Sequence, residues 1–396
     1  MKYQIVILFI ALIFIISCKK NEGGIEIENW RKGNLHTHTL WSDGDEFPER
    51  VIDWYLNHGY NFLAITDHNT FLSEEKWVIV PDTPGRIEAF ENYFHEYGED
   101  WVEQFTDSSG IHVRLKTYQE LYNRYREEDH FLLIPGEEIS SGFDGKPLHI
   151  NAINLKEKIV PQKGYSVAEV IQNNVDVVLN QRDSLKLPMF PHINHPNFRY
   201  AISKKDFALL NGVRFFEVYN GHPLVNNYGD SIHESTEELW DYVNYIFLGN
   251  NKPLMYGFAV DDSHNYHLLG SEFSNAGRGW IMVNSNELTP KSLLDAMDKG
   301  NFYATTGVLV NNIVINNEMI KFDILEEENV SYSTEFVGYN KDGTWQLFYK
   351  TDHFSPLYKF VGNELFVRAR IVSSKEKNNP FQAGDKEMAW LQPIQR

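Results

Sequence analysis

The chain has 396 residues, with 36 Lys+Arg against 55 Asp+Glu and a formal net charge of −19. That length suits two domains or one large barrel with an appendage, and 42% hydrophobic with 23% charged residues is the composition of a folded chain, which excludes wholesale disorder. The acidic balance argues against sequence-independent binding to nucleic acid, which needs a basic surface to displace counterions, but it leaves an anionic substrate open because bound cations reverse the local sign. A single cysteine, Cys18, rules out an intrachain disulfide.

Lys2 precedes an apolar run from Ile5 to Ile16, followed by Ser17-Cys18-Lys19-Lys20. A positive start and about a dozen apolar residues describe a secretory signal rather than a membrane span. The ending Ile15-Ile16-Ser17-Cys18 resembles a bacterial lipobox. The resemblance implies that residues 1–18 are a signal peptide, that Cys18 is lipidated, and that 19–30 is a tether. Lys19 is not the Asp that retains such proteins at the inner membrane, so an exported lipoprotein attached to the outer membrane is expected.

From Trp30 the pattern alternates between short apolar runs and helical periodicity. Strands are predicted at Asn34–His38, Phe62–Asp67, Phe131–Glu138, His149–Leu155, Met189–Ile193, Val213–Tyr219 and Leu254–Val260. Helices are predicted at Pro48–His58, Tyr118–Glu128, Val167–Arg182, Lys204–Leu210 and Ser235–Leu248. Such alternation points to an α/β domain over 31–286 with a largely parallel sheet, and seven strands suggest a barrel. Ser140–Pro147 is too short for a crossover helix, so the strands on either side of it should pair antiparallel. Residues 70–116 form an insertion with weak helical periodicity, fitted equally to a lid above the mouth and to padding outside. After a helix at Pro290–Lys299, alternation at Asn312–Ile315, Trp345–Lys350 and Glu364–Val372 makes 287–396 a small β-sandwich-like domain.

Metal-competent side chains gather where these strands end. His36 and His38 share one strand face, and Asp43 follows in the turn Ser42-Asp43-Gly44. Asp67 and His68 end the second strand, Glu137 and Glu138 the third, and His149 opens the fourth. His192 and His195, Glu217 and Asn220, then Asp261, Asp262 and His264 follow the last three. Any one of these has a bland explanation, but burying so many carboxylates and imidazoles at one sheet edge without a cation would be costly. Imidazole and carboxylate without thiolate suit Zn, Mn or Fe. The donors exceed what one tetrahedral ion needs, so two or three divalent ions are expected, some bridged by a carboxylate. Lys146, Arg199 and Arg278 are candidate phosphate contacts.

Several runs resemble the polymerase-and-histidinol-phosphatase (PHP) superfamily: Leu35-His36-Thr37-His38-Thr39 with Ser42-Asp43-Gly44, Ile65-Thr66-Asp67-His68-Asn69, Pro135-Gly136-Glu137-Glu138-Ile139-Ser140, Leu148-His149-Ile150-Asn151, Asn194-His195-Pro196 and Asp262-Ser263-His264. The resemblance implies a distorted (β/α)7 barrel that binds two or three divalent ions and hydrolyses phosphate esters. Its implied ligands are His36, His38, Asp43, His68, Glu138, His149, His195, Asp262 and His264, with Glu138 chosen over Glu137 and His195 over His192 by the family's pattern. Glu138 is then the bridging ligand and Asp67 the partner that orients an imidazole, so Asp67, Glu138 and His195 form the expected catalytic group. The expected chemistry is attack by metal-bound hydroxide on a small-molecule phosphomono- or diester. Carboxylic or carbamic ester hydrolysis on the same site, and a non-catalytic glycan-binding surface lipoprotein, stay open as alternatives.

Overall fold

The computed structural model describes residues 29–396 apart from 83 and 127–129. Cys18, the 1–18 leader and nearly all of the 19–30 tether therefore lie outside the described residues. Among those described, no helix is long and apolar enough to cross a membrane.

The first half runs β1 (Trp30–Asn34), α1 (Pro48–Asn57), β2 (Phe62–Ile65), β3 (Lys76–Val80), α2 (Pro84–Tyr97), β4 (Gln104–Asp107), β5 (Gly110–Leu115), α3 (Tyr118–Tyr125), β6 (Leu132–Phe143) and β7 (Lys146–Ile153). It continues with α4 (Val167–Leu185), β8 (Phe190–Ile193), α5 (Lys204–Leu209), β9 (Phe215–Asn220), α6 (Thr236–Gly249) and β10 (Tyr256–Val260). Seven of these strands lie side by side in the order β10-β9-β8-β7-β6-β2-β1. β6 pairs antiparallel with β7, and β7 with β8, while the other neighbours are parallel. The short β6–β7 link thus does what its length requires. β2, β8, β9 and β10 are buried along their whole length, as strands covered on both faces must be.

β1 ends earlier than its periodicity predicts. Beyond Asn34 the backbone amides leave the strand ladder and bond to side chains: His36 N to Asn34 Oδ1 (2.9 Å), Thr37 N to Thr66 Oγ1 (3.1 Å) and Thr39 N to Asp67 Oδ1 (2.8 Å). This extension meets the chain after β10, where His38 N donates to Ser263 O at 3.0 Å and Asp262 N to His36 O at 3.1 Å. The two ends of the seven-strand set are therefore joined at the rim that carries the histidines.

The insertion is more strand than helix. β3, β5 and β4 form an antiparallel sheet and α2 packs beside it. Its apolar face joins Val80, Phe90, Tyr93 and Val113 to Val51, Ile52 and Tyr55 of α1. Phe47 and Tyr93 stack at 3.9 Å, and the Tyr93 hydroxyl donates to Glu49 at 2.9 Å. The insertion thus packs on α1.

The remaining elements are β11 (Trp280–Asn284), α7 (Pro290–Asp298), β12 (Phe302–Thr305), β13 (Val310–Ile315), β14 (Met319–Ile324), β15 (Tyr332–Asn340), β16 (Trp345–Thr351), β17 (Leu357–Lys359), β18 (Glu364–Glu376), β19 (Lys386–Leu391) and β20 (Ile394–Gln395). β11 pairs with β1 and hands the sheet on through β12, β19, β18 and β15 to β16, so one sheet runs from β10 to β16. β13, β14 and β17 form a separate layer, and Ile320 and Phe322 face Phe336, Ile371 and Ala389 across the gap. One of the two β layers expected near the C-terminus is thus an extension of the central sheet. The buried Arg368 guanidinium ties it to α6 through two bonds to Asp241, at 2.6 and 2.9 Å.

Candidate metal centre

All nine ligand residues implied by the sequence motifs fall in groups whose donor atoms lie within 4.8 Å of one another. Three local features bring them there. Gly44 folds the Ser42-Asp43-Gly44 turn against the strand end so closely that a Cβ would sit 2.6 Å from Thr39 N and 2.7 Å from His38 C. Asp262 adopts a left-handed backbone, φ +50°, a conformation that costs an L-residue about 1 kcal/mol and that clusters at functional sites. In β6 the alternation of side chains sends Glu138 into the cluster, while Glu137 turns away and accepts from Ile159 N at 2.9 Å. Burial raises the Glu137 carboxyl to about 7.

Glu138 stands at the centre. Its Oε2 lies 3.4 Å from His36 Nε2, 3.2 Å from His38 Nε2 and 2.8 Å from His68 Nδ1. Its Oε1 lies 2.9 Å from His149 Nδ1 and 3.4 Å from His195 Nε2, and accepts from Asn194 Nδ2 at 2.7 Å. Asp262 Oδ1 is 3.2 Å from both His36 Nε2 and His38 Nε2. Asp43, the exposed member, approaches His264 Nε2 at 3.3 Å, His38 Nδ1 at 3.5 Å and His68 Nε2 at 3.6 Å. Burial would raise the Glu138 and Asp262 carboxyls, but the surrounding imidazoles hold both well below the usual range.

These residues fit divalent cations. Buried polar atoms are ordinarily hydrogen-bonded, yet His36 Nε2, His38 Nε2, Glu138 Oε2 and His149 Nδ1 are buried and none has a hydrogen-bond partner. His36 Nε2 and His38 Nε2 face Glu138 Oε2 at 3.4 and 3.2 Å, the spacing of donors that share an ion with bonds of about 2.0–2.2 Å. The opposite ring nitrogens are held. His36 Nδ1 meets Glu217 Oε1 at 2.6 Å, His264 Nδ1 donates to Asp262 O at 2.9 Å, and His38 Nδ1 meets Ser42 Oγ at 3.3 Å. Each of these bonds leaves Nε2 as the free lone pair.

Four further expectations fare differently in the structure. Asp67 touches no imidazole: it accepts from Thr39 N and Thr39 Oγ1, both at 2.8 Å, and from Ser42 Oγ at 2.6 Å. It reaches His38 only through the Ser42 hydroxyl, which donates to Asp67 and so accepts from the ring. Arg278 is no phosphate contact. Its buried guanidinium is consumed by the carbonyls of Gly221 (2.8 Å), Phe273 (2.6 Å), Gly270 (2.8 Å) and Asn379 (3.0 Å). Lys146 lies exposed at the tip of the β6–β7 hairpin. Arg199 does sit at the rim, 5.5 Å above the Phe198 ring, which in turn meets His195 edge-on at 5.2 Å.

The residue that sequence reasoning left without a role is Glu217. It is fully buried, and besides His36 it contacts His192 Nε2 at 3.2 Å and accepts from His195 N at 2.7 Å and Asn220 Nδ2 at 2.8 Å. A lone carboxylate inside the apolar run Phe215–Asn220 was the available signal.

No family model matches the chain. One curated relative, the DNA polymerase/3'-5' exonuclease PolX of Bacillus subtilis, is 42% identical over 41 residues; the match covers 10% of this chain and 7% of that protein's length. Among solved structures the chain is similar to a two-domain protein of Bacteroides vulgatus containing a predicted PHP-like metal-dependent phosphoesterase. The identity is 16%, the coverage 93% of this chain and 96% of that one, and the TM-score 0.40. It is also similar to a protein of Bifidobacterium adolescentis whose stated role, metal-dependent phosphoesterase, is itself a prediction. There the identity is 12%, the coverage 62% and 92%, and the TM-score 0.32.

Proposed function

We propose that this chain is a metal-dependent hydrolase of the PHP type that cleaves a small-molecule phosphomono- or diester. The observation that carries the proposal is Glu138, one carboxylate whose two oxygens face separate sets of imidazoles, beside buried ring nitrogens with no hydrogen-bond partner. On this proposal the ring of seven strands is the distorted (β/α)7 barrel, 287–396 is an appended β domain, and Cys18 anchors the exported protein at the outer membrane.

Two or three divalent ions, Zn, Mn or Fe, would be held by the nine residues, and when bound they supply Lewis acidity toward the phosphoryl oxygens and a lowered pKa for water. His36, His38 and His264 present fixed Nε2 lone pairs, because their Nδ1 atoms are engaged. Glu138 and Asp262, held ionised by the imidazoles around them, supply the buried negative charge that balances the cations. Asp43 marks the solvent side, so substrate enters past it. Arg199, at the rim, meets the anionic ester from outside.

The test is metal analysis of purified protein alongside turnover of aryl phosphates, aryl acetates and aryl carbamates on the same sample. Expected are bound divalent metal and aryl phosphate hydrolysis that falls at least 10³-fold in His38→Ala, as loss of a metal ligand shared by two groups requires. Full metal loading with turnover only of acetates or carbamates, or with none, overturns the phosphoesterase assignment.

A further inference from the structure

A histidine outside the nine ligands, His222, lies against the same centre. Its ring meets His264 edge-on at 5.6 Å and Phe198 at 5.8 Å. The titratable groups that face it are Asp262, His264, His195 and His38. Its own loop fixes it. Gly221 packs where a Cβ would lie 2.8 Å from both Asp261 O and Arg278 Cβ, and its amide donates to Val260 O at 2.9 Å. The His222 amide then donates to Asn220 Oδ1 at 2.8 Å. The loop is laced to the neighbouring one by a bridge between Phe198 and Val225 and by Asn197 Nδ2, which donates to Asn226 O (3.0 Å) and Glu234 O (2.9 Å).

The tautomer follows from one contact. Leu224 N lies 3.2 Å from His222 Nδ1, and a backbone amide can only donate. Nδ1 is therefore the bare acceptor, and the ring proton sits on Nε2. Among the described residues the ring makes no other hydrogen bond, and the side chain is only partly buried, so Nε2–H is a donor left available at the mouth. This is the opposite of His36, whose Nδ1 carries the proton toward Glu217 and whose Nε2 is a lone pair. A neutral ring whose lone pair is already engaged and whose free atom is an N–H, lying beside Asp262 and three imidazoles, is unsuited to ligate a cation and suited to an oxyanion bound to one.

We propose that His222, as the neutral Nε2–H tautomer, donates a hydrogen bond to a phosphoryl oxygen of the bound ester and of the phosphate product. Arg199, across Phe198, supplies the second contact of the same wall. The proposal rests on the phosphoesterase assignment for its substrate, but binding of inorganic phosphate tests it without turnover.

The experiment compares metal-loaded wild type with His222→Gln, whose amide N–H stands near the place of Nε2–H, and His222→Phe, which keeps the ring and removes the donor. Inorganic phosphate binding is measured by calorimetry, metal content by elemental analysis, and the tautomer by nitrogen-detected imidazole NMR. Expected are an Nε2–H signal for His222, unchanged metal content in both variants, phosphate binding at least about tenfold weaker in His222→Phe, and binding within about threefold of wild type in His222→Gln. Phosphate binding undiminished in His222→Phe, an Nδ1–H tautomer, or equal losses in both variants overturns it. Wild type that binds phosphate through His222 yet cleaves no phosphate ester overturns the phosphoesterase assignment and leaves only the His222 contact to inorganic phosphate standing.

Discussion

The Nδ1 atom of His36 lies 2.6 Å from Oε1 of Glu217, and both side chains are fully buried. This contact fixes the ring so that Nε2 points at Glu138 and Asp262, and it places a second buried negative charge behind the ligand. Glu217→Gln keeps the shape and removes the charge. The expected result is a 10–100-fold loss of metal affinity, measured by competition with a chromophoric chelator, with the fold retained by circular dichroism. Unchanged affinity would show that Glu217 only packs.

Arg278 makes its contribution to stability rather than to substrate. Its guanidinium satisfies four backbone carbonyls from three loops, and Arg278→Met would leave them unpaired in a buried site. We expect a loss of about 3 kcal/mol in urea denaturation, with inhibition by inorganic phosphate unaltered in the folded fraction.

Lys32 predicts an alkaline gain in stability. Its ammonium lies 3.9 Å over the Tyr60 ring and 4.5 Å over Trp280, and burial lowers its pKa from 10.5 to about 8. Below about pH 8 both folded and unfolded states hold the proton, and the folded state bears the full cost of desolvating it. Between about 8 and 10.5 the folded state releases the proton while the unfolded state keeps it, so this contribution to stability rises with pH. Measured as urea midpoints, Lys32→Met should therefore compare more favourably with wild type at pH 7 than at pH 10. A difference that is flat across that range refutes the assignment.

Lipid attachment at Cys18 predicts incorporation of radiolabelled fatty acid in a bacterial host, lost in Cys18→Ala. Incorporation that survives the substitution removes the anchor.

Local pattern carried a good deal of this protein. The apolar runs around Phe62, Phe190, Phe215 and Tyr256 are strands because their residues suit burial on both faces, and the short link after Phe143 admits nothing but an antiparallel return. The helix at Tyr118 begins where Thr117 and Glu120 form a capping box, and such signals are contained in a few adjacent residues. The insertion was less legible, because a three-stranded sheet clad on α1 draws its apolar face from both partners and shows a clean period in neither.

By itself, the sequence determined which side chains are chemically able to bind cations and that most of them follow strand ends, since donor types and strand ends are local properties, although Glu138 and His149 fall within β6 and β7 rather than at their ends. Only the tertiary structure decided their roles. Asp67 and Glu217 are equally plausible carboxylates in sequence, yet Asp67 spends its oxygens on Thr39 and Ser42 while Glu217 grips His36 across 181 positions of chain. Arg278 reads as a free cation until three loops close around it, and the tautomer of His222 depends on where the Leu224 amide points. A side chain's type is fixed by its covalent structure, but which of its atoms remain unengaged is set by the neighbours that folding brings to it.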